Sequence, residues 1–566
     1  MGYVIRSVEH AKYLGIWLDK TLSFTTHCTK VVAKANGSPE ALRSISVFTW
    51  GTSLLNMRTI YLAVIVPQML YGVAAWYSPT SGRTKYAKRQ KIINEFERIQ
   101  TRAAVLISGA FRNTASAALG AELFLPPVRL HMQQMIEEAT IRIQTGPVIA
   151  CPRRLVRKRS SAEIRWSGWS PMEALRWRKG GPLWTGGRSL ATWESRKAHV
   201  LAPWELPLNC VIEGADSAIQ EHDRICQESR RQIWYSDGSG FNGHVGGATV
   251  SIWAGKVRKK YLGAAADSTV HVGELEGVKM ALKWAEAAPI TVFSDSQAAI
   301  EAVRNPGRPS DQYVLRAIYE RIRSLRDGGL QQGDIELRWI PAHIGVEGNE
   351  RADEAAKRAA IKGIELSSVG PRDLAARPIT GLAAAAKTDV RRGIQAQWAK
   401  WWERQQVGKP TKRLIPKPKK KVLRMYEGLS KPQTSIIIQM RTMRIGLRHF
   451  LFKIKQVDSD RCGCELSSQT PKHVLMECSL HLASRRIMME RLDSIEGLRG
   501  RIQDYDAVMN HPQAIRYVAD FMQRTGLLQQ FLFATFKDEE DEEVPEPSTL
   551  LEGLDLNEED DGYIEH

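Results

Sequence analysis

The sequence predicts an α/β domain over 227–364: a mixed five-stranded sheet flanked by helices. A mostly helical N-terminal domain and a small Cys/His segment accompany it. Two observations carry the prediction. Apolar runs between Ile233 and Ala360 read in the order β-β-β-α-β-α-α-β-α, the pattern of a sheet covered by helices. The first three runs are joined by short Gly-bearing turns, which pair antiparallel, whereas the later strands alternate with helices, which makes them parallel crossovers.

Each element has its own reason. Ile233 to Ser239 starts as an apolar strand and runs into small residues. HVGGATVSIW at 244–253 and KVRKKYLG at 256–263 follow as the second and third strands, the latter alternating in character. HVGELEGVKMALKWAEAA is a helix whose inward stripe is Leu275, Val278, Leu282 and Ala285. Glu274 leans toward that buried side, where a carboxylate is costly without a cation or hydrogen bonds. ITVFSD at 290–295 is a short buried strand expected to end on Asp295, as the first is expected to end on Asp237. Two helices follow, the second from about Gln312 to Arg326. DIELRWIPAH at 334–343 is the last strand. A final helix opens at Gly348-Asn349 with Asn349 as N-cap, and Asp353 falls in its first turn. If the first helix is a crossover, Asp237 and Asp295 lie on neighbouring strands, and ligand sites in such sheets gather at the carboxyl ends of strands.

Four carboxylates thus converge: Asp237, Glu274, Asp295 and Asp353. Crowded without a cation, they repel one another. Two divalent ions about 3.5–4 Å apart are what phosphodiester hydrolysis uses to activate a water and stabilise the leaving oxygen, and Mg²⁺ prefers oxygen ligands. No Ser-His-Asp nucleophile arrangement is evident. With these pieces in order, YSDGS at 235–239, GELEG at 273–277, FSDSQ at 293–297 and WIPAHIGVEGNERADEAA at 339–356, the segment resembles a type 1 ribonuclease H of the version carried by non-LTR retrotransposons. The resemblance implies a ribonuclease H-like sheet and two Mg²⁺ ions, with Mn²⁺ as a substitute, held by Asp237, Glu274, Asp295 and Asp353. It also implies a role for His343 in proton transfer or product release, and cleavage of the RNA strand of an RNA–DNA hybrid. Ser239 and Ser296 are expected near the nucleic-acid backbone, and 2′-hydroxyl contacts are the physical basis for telling RNA from DNA. Asn349 and Glu350 are expected to shape the helix start. Glu276, Asp267, His244 and His271 read as structural or solvent-facing.

The flanks are read more coarsely. Residues 1–145 are mostly helical, with a long helix near Thr59 to Trp76 whose apolar positions Ile60, Val64, Met69 and Val73 recur at roughly helical spacing and which Pro67 should kink. YLGIWLD, then LSF and His27, then LYGVAAW at 70–76, resemble the region after the palm in non-LTR retrotransposon reverse transcriptases. The adjacent aspartates that a polymerase needs occur only as Asp560-Asp561, so no polymerase activity is expected. Residues 146–226 form a basic, Trp-rich linker, with CPRRLVRKRSS at 151–161 and tryptophans at 166, 169, 177, 184, 193 and 204. It suits single-strand binding by charge and stacking, or docking on a neighbouring domain. Residues 365–450 continue as a helical and basic linker in which Trp398, Trp401 and Trp402 are packing residues. KPTKRLIPKPKKK at 409–421 reads equally as a phosphate contact, an import signal or a solvated linker.

Within 451–490, Cys462, Cys464, His473 and Cys478 give C-x-C-x₈-H-x₄-C. Three thiolates and an imidazole form a closed zinc set, and the pattern resembles the C-terminal zinc knuckle of the same retrotransposons, which implies Zn²⁺ and single-stranded nucleic acid as a ligand. The alternative is a pair of buried thiols. A helical segment at 491–537 and an acidic tail at 538–566, low in aromatics and expected to be disordered, complete the chain.

Charge agrees with a polyanionic partner. The net charge is +18, although 14 acidic residues and no Lys or Arg fall between Asp538 and His566. Seven cysteines in 566 residues suit a reducing compartment, nuclear or cytoplasmic rather than secreted, and no signal-type core opens the chain. No run reaches the roughly 18 consecutive apolar residues of a membrane span, so no membrane partner is expected. The oligomeric state is left open. Three readings follow: an active ribonuclease H in a truncated retrotransposon-derived protein, a catalytically inactive nucleic-acid-binding relic, or a structural remnant without function. The complete carboxylate set favours the first.

Overall fold

Buried side chains run through Gln232–Phe241 and Ile290–Ser294, while Ile335–Trp339 alternates buried Ile335 and Leu337 with half-buried Glu336 and Arg338. In the computed structural model these three segments pair as adjacent parallel strands with both faces covered. The structure describes residues 8–77, 83–146, 193–228, 230–285, 288–307, 311–369 and 379–534. The acidic tail and the linker tryptophans 166, 169, 177 and 184 lie outside them.

The sheet has six strands. They are β1 (Asn209–Val211), β2 (Gln232–Phe241), β3 (His244–Ser251), β4 (Lys256–Ala264), β5 (Ile290–Ser294) and β6 (Ile335–Trp339), in the order β1-β6-β5-β2-β3-β4. The five expected strands are all present. The sixth, β1, comes from the expected linker and pairs parallel with β6 through Asn209, Cys210 and Val211. Three residues close behind Pro207 carry no periodic signal, and only β6's open edge recruits them.

One face is covered by α2 (Val270–Trp284), α3 (Gln297–Arg304) and α4 (Gln312–Asp327). Their core is built from Trp234, Val272, Leu275, Val278, Val292, Ile318 and Leu337. The expected stripe of Leu275, Val278, Leu282 and Ala285 is buried there. The other face is closed by α5 (Glu347–Val369), with α1 (Ala215–Cys226) contributing Ile225. Ala352, Ala355 and Ala356 let α5 approach the strands closely: a Cβ on Gly246 would lie 2.3 Å from the Ala356 carbonyl oxygen.

The helical regions on either side of this domain are one body. Residues from Cys28 to Ile136 share a single hydrophobic core with residues from Trp402 to Phe531, across several of the expected boundaries. At its centre, buried Arg441 Nε donates to both Glu122 carboxylate oxygens at 3.0 Å, and Tyr426 Oη donates to Glu122 Oε2 at 2.6 Å. Lys431 Nζ donates to the Leu106 and Ile107 carbonyls at 2.9 and 2.6 Å. The expected linker around 409–421 is folded into this body: Leu414 and Ile415 are buried, and the Trp402 indole donates to the Ile415 carbonyl at 2.9 Å. Trp398 and Trp402 are buried and Trp401 half-buried. The helix Ala383–Arg404 ties the two halves of the molecule together. Leu382 and Ala385 enter the sheet's core, while Val390, Ile394 and Trp398 pack on Leu130 and Ile141.

Leu54–Trp76 is the one helical run among the described residues long and apolar enough to cross a membrane. Here Leu54, Met57, Tyr61, Ile65, Met69, Val73 and Trp76 line the helical body's core. The expected stripe is out of register at Val64, which is exposed. Tyr61–Ile65 forms a π turn just before Pro67, which shifts the register that the proline would otherwise break. The chain bends at Tyr71-Gly72 instead, where Gly72 has φ +62°.

Candidate active site and a second ligand cluster

Strand register sets the first two carboxylates. Ser236 lies opposite Ser294 in the β2–β5 ladder, which stops there. Asp237 and Asp295 therefore leave the pairing side by side. β2 does not end at Asp237 as expected. It runs on to Phe241 against β3 alone, so one of its edges opens at the aspartate.

Glycine brings in the third. A Cβ on Gly238 would lie 2.4 Å from the Glu274 amide nitrogen and 2.6 Å from the Val270 carbonyl oxygen, and one on Gly277 would lie 2.6 Å from the Ala248 carbonyl oxygen. Only bare backbone lets α2 lie this close to β2 and β3. The helix is started by Thr269, whose side chain accepts from the Val272 amide. Ligand oxygens of Asp237, Glu274 and Asp295 consequently lie within 4.8 Å of one another.

Burial, and secondarily the charges of Asp295 and Asp353, push the Asp237 carboxyl up to about 8. Burial, then Asp237 and Asp295, push Glu274 up to about 10. Glu274 Oε2 is buried without a hydrogen-bond partner. Three crowded carboxylates with an unsatisfied oxygen form a site that a divalent cation fits, and an all-oxygen donor set suits Mg²⁺.

The other expected residues are placed as follows. Asp353 is on α5, in its second turn, half-buried and outside the cluster of three, although its charge is felt by Asp237. His343 is exposed on the loop between β6 and α5, with φ +55°. Ser239 is half-buried on β2 opposite Gly246. Ser296 caps α3, its hydroxyl accepting from the Ala299 amide at 3.3 Å.

Asn349 is a correction. The helix begins at Glu347, so Asn349 sits inside its first turn rather than capping it. Its buried amide donates to Asp295 Oδ2 at 3.1 Å. Spacing holds the signal, since residues four apart share a helix face and Asn349 precedes Asp353 by four. Trp339 is a second residue that the sequence does not flag: its indole donates to the Asp295 carbonyl at 2.9 Å. Glu276 is fully buried, and His244 Nδ1 is hydrogen-bonded to the Tyr261 hydroxyl at 2.7 Å.

A second cluster lies in the helical body. Ligand atoms of Cys462, Cys464, His473 and Cys478 lie within 4.8 Å of one another. Cys462 and Cys478 sulfurs are 3.6 Å apart, and Cys464 Sγ is 3.2 Å from His473 Nε2. Tetrahedral zinc with ordinary Zn–S and Zn–N bonds puts its ligands about 3.3–3.8 Å apart, so the set fits that ion. Thr470 starts the short helix carrying His473, and Arg485 holds the Leu475 and Val474 carbonyls at 2.9 and 3.1 Å. A backbone N–H from Leu466, opposed by burial and aided by His473 and the other thiols, lowers the Cys464 thiol to about 6.

A mixed sheet with three antiparallel and three further parallel strands, a helix crossing between two aspartate-bearing neighbours, and clustered carboxylates at the point where their pairing ends define a nuclease-type α/β domain. The family model for RNase H matches residues 229–361, and this segment is an RNase H domain. Relatives of the chain are R1-type non-LTR retrotransposon proteins. One is the Retrovirus-related Pol polyprotein from type-1 retrotransposable element R1 4 of Nasonia vitripennis, 26% identical over 117 residues, 21% of this chain and 28% of the relative. Another is the Putative 115 kDa protein in type-1 retrotransposable element R1DM of Drosophila melanogaster, 29% identical over 89 residues, 15% of this chain and 9% of the relative. The matched stretches thus span less than a third of these relatives' length.

Proposed function

We propose that this protein hydrolyses the RNA strand of RNA–DNA hybrids at the carboxylate cluster of its RNase H domain. The observation that carries the reading is the meeting of Asp237, Glu274 and Asp295 within 4.8 Å, with Glu274 Oε2 unsatisfied. Asp237, Glu274 and Asp295, joined by Asp353, would hold the Mg²⁺ or Mn²⁺ ions. When bound, these supply charge for the developing phosphoryl oxygens and acidify a water. The chain's own residues do the rest. Asn349 fixes one oxygen of Asp295, and the Trp339 indole fixes its backbone. His343, exposed beside the site's last helix, is assigned proton transfer or product release. Ser239, on the open stretch of β2, is assigned a backbone contact. Ser296 acts through its cap on α3.

The Cys462, Cys464, His473 and Cys478 set is assigned one structural Zn²⁺, which would close a loop of the helical body and offer a surface to single-stranded nucleic acid.

The test is digestion of a labelled RNA–DNA duplex by the purified chain with and without Mg²⁺, beside Asp295→Asn. We expect Mg²⁺-dependent cleavage of the RNA strand that Asp295→Asn loses while hybrid binding survives. Binding without cleavage by the wild-type chain selects the inactive relic instead.

A further inference from the structure

The edge strand β4 and helix α2 carry a cationic face that the carboxylate cluster does not use. Alternation along β4 points Lys256, Arg258 and Lys260 to the α2 side, where they pair with Ser251, Thr249 and Gly247. Helix α2 adds Lys279 and Lys283 to the same face. Glu276, fully buried, collects Lys260 Nζ at 3.2 Å and Lys279 Nζ at 2.5 Å on a single oxygen, and its second oxygen has no partner. Burial lowers the Lys279 ammonium; Glu276 opposes this, while the charges of Lys260 and Lys283 add to it. Like charges are therefore crowded here around one buried carboxylate. Aromatic surface accompanies them: the Arg258 guanidinium lies 4.3 Å over the Trp284 ring, and Trp253, on the β3–β4 turn, is 78% exposed.

The position matters as much as the charge. Lys260 pairs with Gly247, which pairs with Gly238, next to Asp237. Two strand spacings put Lys260 about 10 Å from the strand that carries the site, and Lys256 lies about 13 Å further along β4. At about 3.4 Å of rise per residue of a nucleic-acid strand, about four phosphates cover that length.

We infer that Lys256, Arg258, Lys260, Lys279 and Lys283 form a phosphate-backbone track that receives the nucleic-acid duplex as it leaves the carboxylate cluster. The inference rests on the RNase H reading for its substrate, and it is sequence-independent, since no base edge is read by such contacts. A basic edge strand also protects a sheet from pairing with another chain. That role accounts for the β4 residues but not for Lys279 and Lys283 on the helix.

The experiment measures equilibrium binding of an RNA–DNA hybrid to the full chain across a salt series, with cleavage followed in parallel. The test variant is Lys256→Gln/Arg258→Gln/Lys283→Gln. The control is Lys259→Gln, whose residue pairs with Ala248 and so points to the α5 face. Each phosphate that is no longer neutralised should reduce the slope of log K against log salt by about 1. We expect a slope shallower by about 2–3 and affinity at low salt at least about tenfold weaker in the triple variant, with the control's slope within about 0.3 of wild type. Lys283→Gln alone, on an exposed helix turn, keeps the test if the triple variant does not fold; it should remove about one slope unit. An unchanged slope, or an equal reduction in the control, overturns the track, and aggregation of the triple variant with an unchanged slope assigns the lysines to edge protection. If the slope shifts while wild type cuts no hybrid, the track stands and the nuclease reading falls. If wild type cuts and the slope stays, only the track falls.

Discussion

The two clusters able to hold metal are assembled in opposite ways. Asp237, Glu274 and Asp295 sit on a strand, a helix and the end of another strand, and only the sheet's register and a close helix–strand approach bring them together. Cys462, Cys464, His473 and Cys478 lie in one short segment that a single turn and a short helix fold into place. The first site is held by the fold and strained by charge, since strand register and helix approach set where its oxygens lie. In the second, Cys462, His473 and Cys478 are themselves buried beside core residues Val474 and Leu475. A cation should therefore matter to the chemistry of the one and to the folding of the other.

The largest effect should come from the carboxylates themselves. Asp237→Asn removes a ligand from the cluster of three, and loss of several kcal/mol of transition-state stabilisation corresponds to about a 10³-fold fall in hybrid cleavage. Asp353→Asn, outside that cluster, should cost less under the same Mg²⁺ concentration. Equal falls in steady-state cleavage assays would mean that Asp353 moves in to complete the site. On the other side of the comparison, Cys464→Ser should abolish bound zinc and lower the melting temperature of the helical body while leaving Mg²⁺-dependent cleavage by the folded chain within about threefold, since metal binding at such sites is coupled to folding. Equal zinc content in variant and wild type, read by metal analysis, removes the site.

A smaller effect is expected from Asn349. Residues that orient metal ligands typically contribute about 10–100-fold. Asn349→Ala should lower cleavage by about that range and raise the Mg²⁺ concentration required, with hybrid binding unchanged. A fall in binding alone would make Asn349 a nucleic-acid contact rather than a support for Asp295.

How much of this is legible in the sequence follows the same division. The sheet's five main strands announce themselves through apolar runs, Asp237 and Asp295 through their place on two of those runs, and Glu274 and Asp353 through theirs on the flanking helices. Strand β1 does not, because Asn209–Val211 is too short for a period and pairs only because β6 has a free edge. Asn349 reads as a cap because Asn favours that position, and its contact with Asp295 depends on where α5 starts. The shared core of the flanking regions is invisible for a different reason. Glu122 meets Arg441 and Tyr426 across more than 300 residues of chain, and no local pattern encodes such a pairing. The register error at Val64 comes from a π turn, which breaks the 3.6-residue period on which the stripe is read.

The smallest effect is the most diagnostic of what crowding means. The folded-state carboxyls of Asp237 and Glu274 are raised to about 8 and about 10, above the ordinary range near about 4. The metal-free folded chain therefore holds more protons than the unfolded chain across this window. Stability from this source is fully present below about pH 4 and is lost as pH rises through about 8 and about 10. In chelator, the melting temperature of the RNase H domain should fall between about pH 6 and pH 9, and Asp237→Asn should flatten that fall by removing one of the titrating charges. Mg²⁺ must displace those protons to bind, so its affinity should rise with pH over the same interval and its stabilising effect should be larger at about pH 9 than at about pH 6. The Cys462, Cys464, His473 and Cys478 cluster supplies the contrast, since its disruption should lower the melting temperature of the helical body rather than tilt the pH profile of the RNase H domain. A metal-free profile that stays flat across that interval, by calorimetry, would mean that the carboxylates spread apart when no cation holds them.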